Sequence, residues 1–378
     1  MLAPRDTKDL VEIVARATAE RTKLELAGGG TKAGFGAPRG CEVVSMQNIA
    51  GVVDYDPAEL VLTVRPGTSL ADVQDLVAAE NQMLAFEPWG ELGATIGGTI
   101  AAGVAGSRRV TAGSARDHLL GFTAVSGRGE TFVAGAKVVK NVTGFDLPKL
   151  MTGSWGRIGA MTELTVKVLP KPRQTVTMVA RNTPLNAAYA IMASALGSNA
   201  EVSAAAYLRT GEVLLRVAGF APSVEARCAA LPRLLAEHCP LDRMADDEAE
   251  PLWRNAMSGH ALQGAVLWDV HVPPRHATDL VATLEPLGID WAIDWGGARV
   301  WIATDRTDSE VREQALNFNG EARLIRAGDE MRARVPAFHP RRPGVAMLEQ
   351  RVRRAFDPAD VFVTGRFKED ADADQLFA

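Results

Sequence analysis

Gly28-Gly29-Gly30-Thr31-Lys32 directly follows the short apolar run Leu24-Glu25-Leu26-Ala27. A glycine-rich turn leaving a strand can gather backbone N–H groups into a concave anion site, which suits a pyrophosphate. Gly28-x-Gly30-x-x-Ala33 also fits the loose dinucleotide fingerprint, but that fingerprint must open a helix. Here Gly34, Gly36 and Pro38 follow at once and forbid one. A Walker loop is excluded as well, because no Gly-Lys-Ser/Thr is present. Two readings stay open from this loop alone: a nest for a pyrophosphate, or a glycine-rich turn between two strands.

A second stretch, Gly93-Ala94-Thr95-Ile96-Gly97-Gly98-Thr99-Ile100-Ala101-Ala102-Gly103, consists almost wholly of small residues. It lacks the charge of a linker and the bulk of a core strand. It would let a flat ligand lie against main chain, or form a helix that packs unusually closely. Two more stretches share this character. Lys140-Asn141-Val142-Thr143-Gly144-Phe145-Asp146-Leu147 is one, and Gly153-Ser154-Trp155-Gly156-Arg157-Ile158-Gly159 feeding a strand is the other. Glycine clusters at 28–40, 93–106, 113–135 and 153–159. Such clusters, costly in entropy, suggest a ligand lying along backbone rather than among side chains.

Side-chain chemistry is sparse by comparison. The six histidines (His118, His238, His260, His271, His276 and His339) include no pair spaced to share one ion. His271 and His276 are five apart across Pro273-Pro274, poor spacing for one helical face. Each lone histidine reads as structural or exposed rather than catalytic. Arg108-Arg109, Arg341-Arg342 and Arg366 are candidate anion holders, with solvated surface positions as the plainer reading of the first two pairs.

The elements that must carry these stretches follow from periodicity. Residues 6–20 predict a helix capped by Asp6 or Thr7, with Leu10, Ile13, Val14 and Ala17 on one face. Strands are expected at 24–27 and 60–65, the second ended by Pro66-Gly67. Ser69-x-x-Asp72 has a capping-box pattern and opens a helix that turns Leu70, Val73, Leu76 and Val77 inward. Leu119 to Val133 predicts a hairpin turning at Gly127-Arg128-Gly129. Residues 160–169 alternate, with Leu164, Val166 and Val168 on one side and Glu163, Thr165 and Lys167 on the other. Pro170-Lys171-Pro172 marks a boundary. Beyond it come strand 174–181, helix 184–197, strands 203–208 and 212–218 and helix 222–238. A helical stretch near 247–257 follows. The order then returns as strand 265–272, helix 274–287, strands 289–295 and 298–304, helix 308–319 and strand 322–327. Each set approximates a β-α-β-β-α-β unit, so two ferredoxin-like halves sharing one sheet are expected. Helix 344–356 and a polar, acidic tail from Lys368 close the chain.

The 378 residues suggest two or three domains. The formal net charge of -5 argues against a nucleic-acid binder, which needs a basic face. Cys41, Cys228 and Cys239 form no C-x-x-C pair and cannot supply a four-thiolate iron–sulfur cluster. They point to a reducing, cytoplasmic setting and to no metal centre. The N-terminus has no apolar h-region, and Leu92 to Gly106 is too short and too glycine-rich to span a bilayer. Any membrane contact would come through a partner.

In order, the chain shows a GGGT-type loop, a "VRPG" strand end, "ATIGG", "KNVTGFDL", "GSWGRIGAMTE" and a strand ending in proline. This order resembles the FAD-binding domain of the vanillyl-alcohol-oxidase and p-cresol-methylhydroxylase (PCMH) superfamily. "FDPADVFVTGR" at 356–366 is similar to that superfamily's terminal segment, although Val363-Thr364-Gly365-Arg366 stands where Asn-Pro-Gly-Arg is usual. Asp54-Tyr55-Asp56-Pro57, "AGSRR" at 105–109, "GSARDHLLG" at 113–121, "VVKNVTGFDLPKLMTGSWG" from 138 and "WGGARVW" at 295–301 resemble the FAD-binding (E) subunits of glycolate oxidase. The resemblance covers essentially the whole chain and is most specific in the first 172 residues.

That resemblance implies an α+β fold: a two-subdomain PCMH-type FAD-binding domain over 1–172, a cap domain of two ferredoxin-like halves over 173–330, and a segment, 331–378, returning to the FAD domain. Carried over, the pyrophosphate loop falls on Gly28, Gly29, Gly30, Thr31 and Lys32. Further cofactor contacts fall on Pro66, Gly67, Gly93, Ala94, Thr95, Ile96, Gly97, Gly98 and Ala102. Others are Asn141, Gly144, Gly156, Ile158, Gly159 and Arg366. Many relatives attach FAD through a histidine near the first loop. No histidine precedes His118, so non-covalent FAD is expected. The implied partners are a sister FAD-linked subunit, an iron–sulfur subunit and a small 2-hydroxy acid. The shortage of catalytic side chains favours an accessory flavoprotein that relays electrons within a glycolate-oxidising complex. A self-sufficient dehydrogenase for another 2-hydroxy acid such as D-lactate, and a structural subunit with a degenerate flavin site, are the alternatives.

Overall fold

The computed structural model describes residues 1–90, 92–136 and 144–367. Asn141, one of the expected cofactor residues, lies outside the described residues. The chain divides into two compact units: residues 1–105, 113–170 and 340 onward form the first, and residues 106–112 and 171–339 the second.

Among its described residues the first unit shows two cores. Helix α1 (Thr7–Glu20) is capped by the Asp6 carboxylate, which accepts from the Asp9 N–H at 2.8 Å. It buries Leu10, Val14 and Ala17 against the parallel pair β1 (Leu24–Ala27) and β2 (Glu42–Ser45), and against Val361 and Phe362 from the chain's far end. Phe362 bridges in parallel to Leu24, so the C-terminal segment prolongs this small sheet. The second core lies on a five-stranded sheet. It is built of β3 (Val52–Asp56), β4 (Val61–Val64), β6 (Leu119–Val125), β7 (Thr131–Gly135) and β8 (Ala160–Lys167), in the order β3-β4-β8-β6-β7. A minor pair, β5 (Gln82–Met83) with β9 (Leu169–Pro170), lies apart.

Helix α2 (Leu70–Ala79) turns Leu70, Val73 and Val77 into the second core. The β6–β7 turn passes through Gly127, whose missing Cβ leaves room for Asp357. A side chain there would stand 2.1 Å from the Asp357 carboxylate. Thr165 does not face solvent as its alternation suggests. It is buried on β8 beside Thr63, with the two hydroxyls 3.1 Å apart. A paired hydroxyl is the form in which a polar group can be buried cheaply.

The small-residue stretch becomes helix α3 (Ile96–Ala102), the close-packing alternative. The Thr95 hydroxyl caps it by accepting from the Gly98 N–H (3.2 Å), and Gly103 ends it in a left-handed conformation at φ 67°. Glycine at 97 lets the helix lie directly on Pro66. A Cβ there would meet the proline ring at 2.4 Å.

The second unit is one eight-stranded antiparallel sheet. Its strands are β10 (Gln174–Ala180), β11 (Val202–Leu208), β12 (Val213–Gly219), β13 (Asp242–Met244), β14 (Val266–His271), β15 (Asp290–Asp294), β16 (Arg299–Thr304) and β17 (Glu321–Arg326). They are ordered β13-β10-β12-β11-β15-β16-β14-β17. Each half therefore repeats the order fourth-first-third-second of a β-α-β-β-α-β unit. The halves join where β11 pairs β15, Tyr207 opposite Ile293. One face packs on helices Leu185–Leu196, Ala221–Leu234, Ala277–Leu284 and Glu310–Asn317. Met331 also joins that core, which carries the unit past residue 330.

The other face holds helix Asp246–Ser258, where the Trp253 indole N–H donates to the Thr177 hydroxyl at 2.9 Å. The distant segment 106–112 lies on the same unit. The Trp295 indole N–H donates to the Gly106 carbonyl, and Ser107 donates to Asp294, each at 2.9 Å. Among the described residues, no helix is long and apolar enough to cross a membrane.

Candidate functional site

The site grows from the end of β1. The loop Gly28–Lys32 leaves the strand and meets the start of α3 and the turn Trp155–Gly159, and together they enclose a cavity of about 120 Å³ within the first unit. Among the described residues, no group accepts from the backbone N–H of Gly28, Gly29, Gly30 or Thr31. Four successive donors left to a ligand are the substance of an anion nest.

The glycines here answer a different demand from the one their number suggests. A Cβ on Gly29 would stand 1.6 Å from the Gly93 carbonyl oxygen, and one on Gly28 would stand 2.4 Å from the Thr95 hydroxyl. These residues let loop pack on loop, and the ligand surface results from that packing. Gly30 is the exception. Nothing lies within 4 Å of its missing Cβ, but its φ of 74° favours glycine.

Gly28, Gly29, Gly30, Thr31, Lys32, Pro66, Ala94, Thr95, Gly97, Gly98, Gly156, Gly159 and Arg366 line the cavity. Gly67, Gly93, Ile96, Ala102, Gly144 and Ile158 do not. Ile96 and Ile158 are instead buried in the second core. Gly67 is needed because a Cβ would meet the Met46 carbonyl at 2.3 Å, and Gly93 supplies the carbonyl against which Gly29 packs. Gly144 is exposed with open space around it. Glu25, Leu26, Ala27, Ala33, Met46, Thr99, Ala101, Trp155 and Met161 also line the cavity, although none was among the expected cofactor contacts; Thr99, Ala101 and Trp155 lie within the small-residue stretches that the sequence pointed to. Met46 and Glu25 sit on or beside β1 and β2, so strand alternation was the signal that could have found them.

Arg366 closes the site from the chain's far end. Only 7% exposed, it donates to the Lys32 carbonyl (3.2 Å), the Glu25 carboxylate (3.3 Å) and its neighbour Thr364 (3.0 Å). Its guanidinium lies 4.7 Å from the centre of the Trp155 ring. Arg39 also holds Glu25, through Nε at 2.9 Å and through Nη2. Gly36 makes room for this clasp, since a Cβ there would meet the Arg366 side chain at 2.7 Å. Arg366 thus positions the loop from behind. Truncating it to alanine removes three hydrogen bonds of about 1 kcal/mol net each. We expect Arg366→Ala to weaken FAD binding by roughly tenfold or more, with flavin lost on gel filtration. A variant that retains flavin as the parent does would refute this role.

The other candidates fall elsewhere. His118 is fully buried, its Nδ1 3.2 Å from the Lys167 carbonyl, and His339 accepts the Ala322 N–H at 3.3 Å. His271 belongs to the second unit. There Asp269, 2% exposed, is bridged by Arg299 (2.9 and 3.1 Å), Arg323 and His271 (3.2 Å). Burial alone would raise the Asp269 carboxyl, but Arg299 and Arg323 hold it well below the usual carboxylate range. Burial pushes His271 down, against the opposing pull of Asp269. Arg109 stacks on Trp295 at 4.4 Å, and Arg341 pairs with Glu349 at 3.3 Å. No histidine lines the cavity of the first unit.

The residues present fit a dinucleotide. Unpartnered N–H groups, the Thr31 hydroxyl and the Lys32 side chain all border the cavity, and its walls are mostly backbone and small side chains. Comparison with known proteins agrees. Residues 1–135 match the family described as "FAD binding domain". Glycolate oxidase subunit GlcE of Escherichia coli (strain K12) is 32% identical over 359 residues, covering 94% of this chain and 96% of that one. Glycolate oxidase subunit GlcD of Bacillus subtilis (strain 168) is 30% identical over 190 residues, 50% of this chain and 40% of the relative. D-lactate dehydrogenase of Anaerostipes hadrus is 35% identical over 164 residues, 43% of this chain and 33% of that one. Among solved structures, p-cresol methylhydroxylase with substrate bound superposes with a TM-score of 0.69 at 15% identity, covering 96% of this chain and 87% of that one. Alkyldihydroxyacetonephosphate synthase reaches 0.67 at 14%, covering 95% and 75%. At such identities the structures speak for the fold alone. The fold is PCMH-type, the cofactor is FAD, and the chain belongs to the glycolate oxidase subunit GlcE family of FAD-linked oxidoreductases.

Proposed function

We propose that this chain is the FAD-carrying accessory subunit of a glycolate oxidase complex that converts glycolate to glyoxylate. A sister flavoprotein and an iron–sulfur subunit are its partners. The observation that carries the reading is the 32% identity to glycolate oxidase subunit GlcE across nearly the full length of both chains. The relative named as subunit GlcD matches over only half of this chain, which fits two flavoprotein subunits with a shared cofactor domain.

Bound FAD supplies acceptance of two electrons and their onward release. The chain's own residues supply the binding. The N–H groups of Gly28 to Thr31 and the Lys32 ammonium offset phosphate charge. Thr95, Gly97 and Gly98 present a wall without bulk, and Arg366 fixes the loop. Proton abstraction from a substrate hydroxyl needs a base within hydrogen-bond reach. Among the described residues, the one carboxylate lining this cavity, Glu25, is engaged by Arg39 and Arg366. The sparse acid–base equipment favours electron relay over substrate oxidation at this flavin.

The test is an absorption spectrum of the purified chain, followed by anaerobic glycolate. We expect an oxidised flavin spectrum that stays oxidised with glycolate and bleaches once the sister subunit is added. Acid precipitation is expected to leave the flavin in the supernatant, because no histidine precedes His118 to tether it. Bleaching by glycolate or D-lactate with the chain alone would instead establish a self-sufficient dehydrogenase, a reading favoured by the 35% match to D-lactate dehydrogenase. A chain that stays colourless after incubation with FAD would mark a structural subunit.

A further inference from the structure

Trp155 stands in a conformation that bulky side chains rarely adopt. Its φ is 56°, between Gly153 at 78° and Gly156 at 77°. The surrounding backbone enforces this. The Trp155 N–H donates to the Ala101 carbonyl at 2.9 Å, and the Gly153 N–H donates to the Ile100 carbonyl at 3.2 Å. Glycine would fit the position without strain, so a large ring kept there points to use, and strained residues cluster at ligand sites. The indole is half-buried and lines the cavity. It rests 4.7 Å from the buried Phe35 ring, tilted by 35°, and 4.7 Å from the Arg366 guanidinium.

Glu25 lines the same cavity and is also clasped by Arg366. An ionised carboxylate only accepts hydrogen bonds. It suits a ligand segment rich in donors, such as the vicinal hydroxyls of a ribose. It does not suit the polar edge of an isoalloxazine, which carries two carbonyl oxygens and a single N–H. Aromatic side chains, for their part, hold nucleobases by stacking, whichever the base.

We propose that Trp155 and Glu25 form an adenosine subsite, with the indole packed against the purine and the carboxylate accepting from the ribose hydroxyls. The glycine loop beside them then receives the pyrophosphate. The inference rests on FAD being the cofactor, and the experiment separates the two. Apo full-length chain is titrated calorimetrically with FAD, ADP, 2′,3′-dideoxy-ADP and FMN. On the unaltered protein, ADP is expected to bind about tenfold more tightly than its dideoxy form, as for the loss of hydrogen bonds to a charged acceptor. Trp155→Ala is expected to weaken FAD and ADP about tenfold and to leave FMN unchanged, while Trp155→Phe recovers most of the loss. Melting curves accompany each variant, and the dideoxy comparison needs no variant at all. Equal affinity for ADP and dideoxy-ADP overturns the role of Glu25. FMN weakened as much as ADP would place the indole at the flavin end, and unchanged affinities would leave it structural; either overturns the role of Trp155. Parent protein that binds neither FAD nor ADP would overturn the cofactor assignment instead.

Discussion

Gly29→Ala is expected to yield a chain that purifies nearly colourless, with FAD affinity down by one to two orders of magnitude. The reason is steric. The new methyl would stand 1.6 Å from the Gly93 carbonyl oxygen and 2.6 Å from its carbon, both backbone atoms that no rotamer change can move. Forcing an extra methyl into a packed contact costs about 1–3 kcal/mol. If opening the loop relieves that strain, affinity falls by roughly 5- to 150-fold, since each 1.4 kcal/mol is tenfold. Gly30→Ala is the internal comparison. Its methyl meets nothing within 4 Å, and its cost is limited to holding alanine at a φ of 74°. FAD affinity measured by calorimetry should therefore fall much further for position 29 than for position 30. The opposite order would mean that the loop's shape rests on conformational freedom rather than on loop-to-loop packing.

This contrast shows what glycine counts in a sequence can and cannot say. The clusters at 28–40 and 93–106 locate the cavity, because both loops line it. They do not say which glycine faces a ligand. Gly28, Gly29 and Gly97 are demanded by Thr95, Gly93 and Pro66 of their own unit, partners far away along the chain in each case. Local sequence carries no trace of such a contact.

Secondary structure was legible where burial is one-sided or where long apolar runs are bounded by glycine and proline. Leu10, Val14 and Ala17 repeat at helical spacing because one stripe of α1 meets a core. Strands β10 to β12 and β14 to β16 read as largely apolar runs because helices cover one face of their sheet and helix Asp246–Ser258 and Trp295 pack on the other. Strand β3 was missed: Val52 and Val53 are 50% and 45% exposed on a sheet edge, and no core imposes a pattern on them. Strand β13 is three residues long and mostly charged, at an edge of the eight-stranded sheet. Segment 106–112 packs within the second unit through the Trp295–Gly106 and Ser107–Asp294 hydrogen bonds, a partnership that periodicity cannot announce. Trp155 and Glu25 belong to no repeat either, and only their placement in space shows what they share.

The Asp269 cluster carries the largest stability effect. Asp269 is 2% exposed and receives Arg299 through two hydrogen bonds at 2.9 and 3.1 Å, with Arg323 and His271 beside it. Arg299 is itself sandwiched against Trp301 (3.9 Å) and Trp295 (4.6 Å), so it cannot swing out to water. Asp269→Asn leaves that buried cation uncompensated, which costs about 3–5 kcal/mol. For a unit of this size the melting point should drop by roughly 6–20 °C, read by tryptophan fluorescence. Removing the half-exposed Glu225–Arg243 pair, 3.0 Å apart, should shift it by no more than about 0.5 kcal/mol in comparison. The pH dependence has a definite sign. The folded Asp269 carboxyl is held well below its unfolded value, so its contribution is complete above about pH 4 and fades as pH falls further. His271, also lowered in the folded state, adds a loss that begins below about pH 6.5. Both slopes point the same way, towards acid lability. The parent should therefore lose stability on acidification more steeply than Asp269→Asn, which no longer has that carboxylate to protonate. Parallel acid limbs for the two proteins would show that the cluster does not govern the unit's stability.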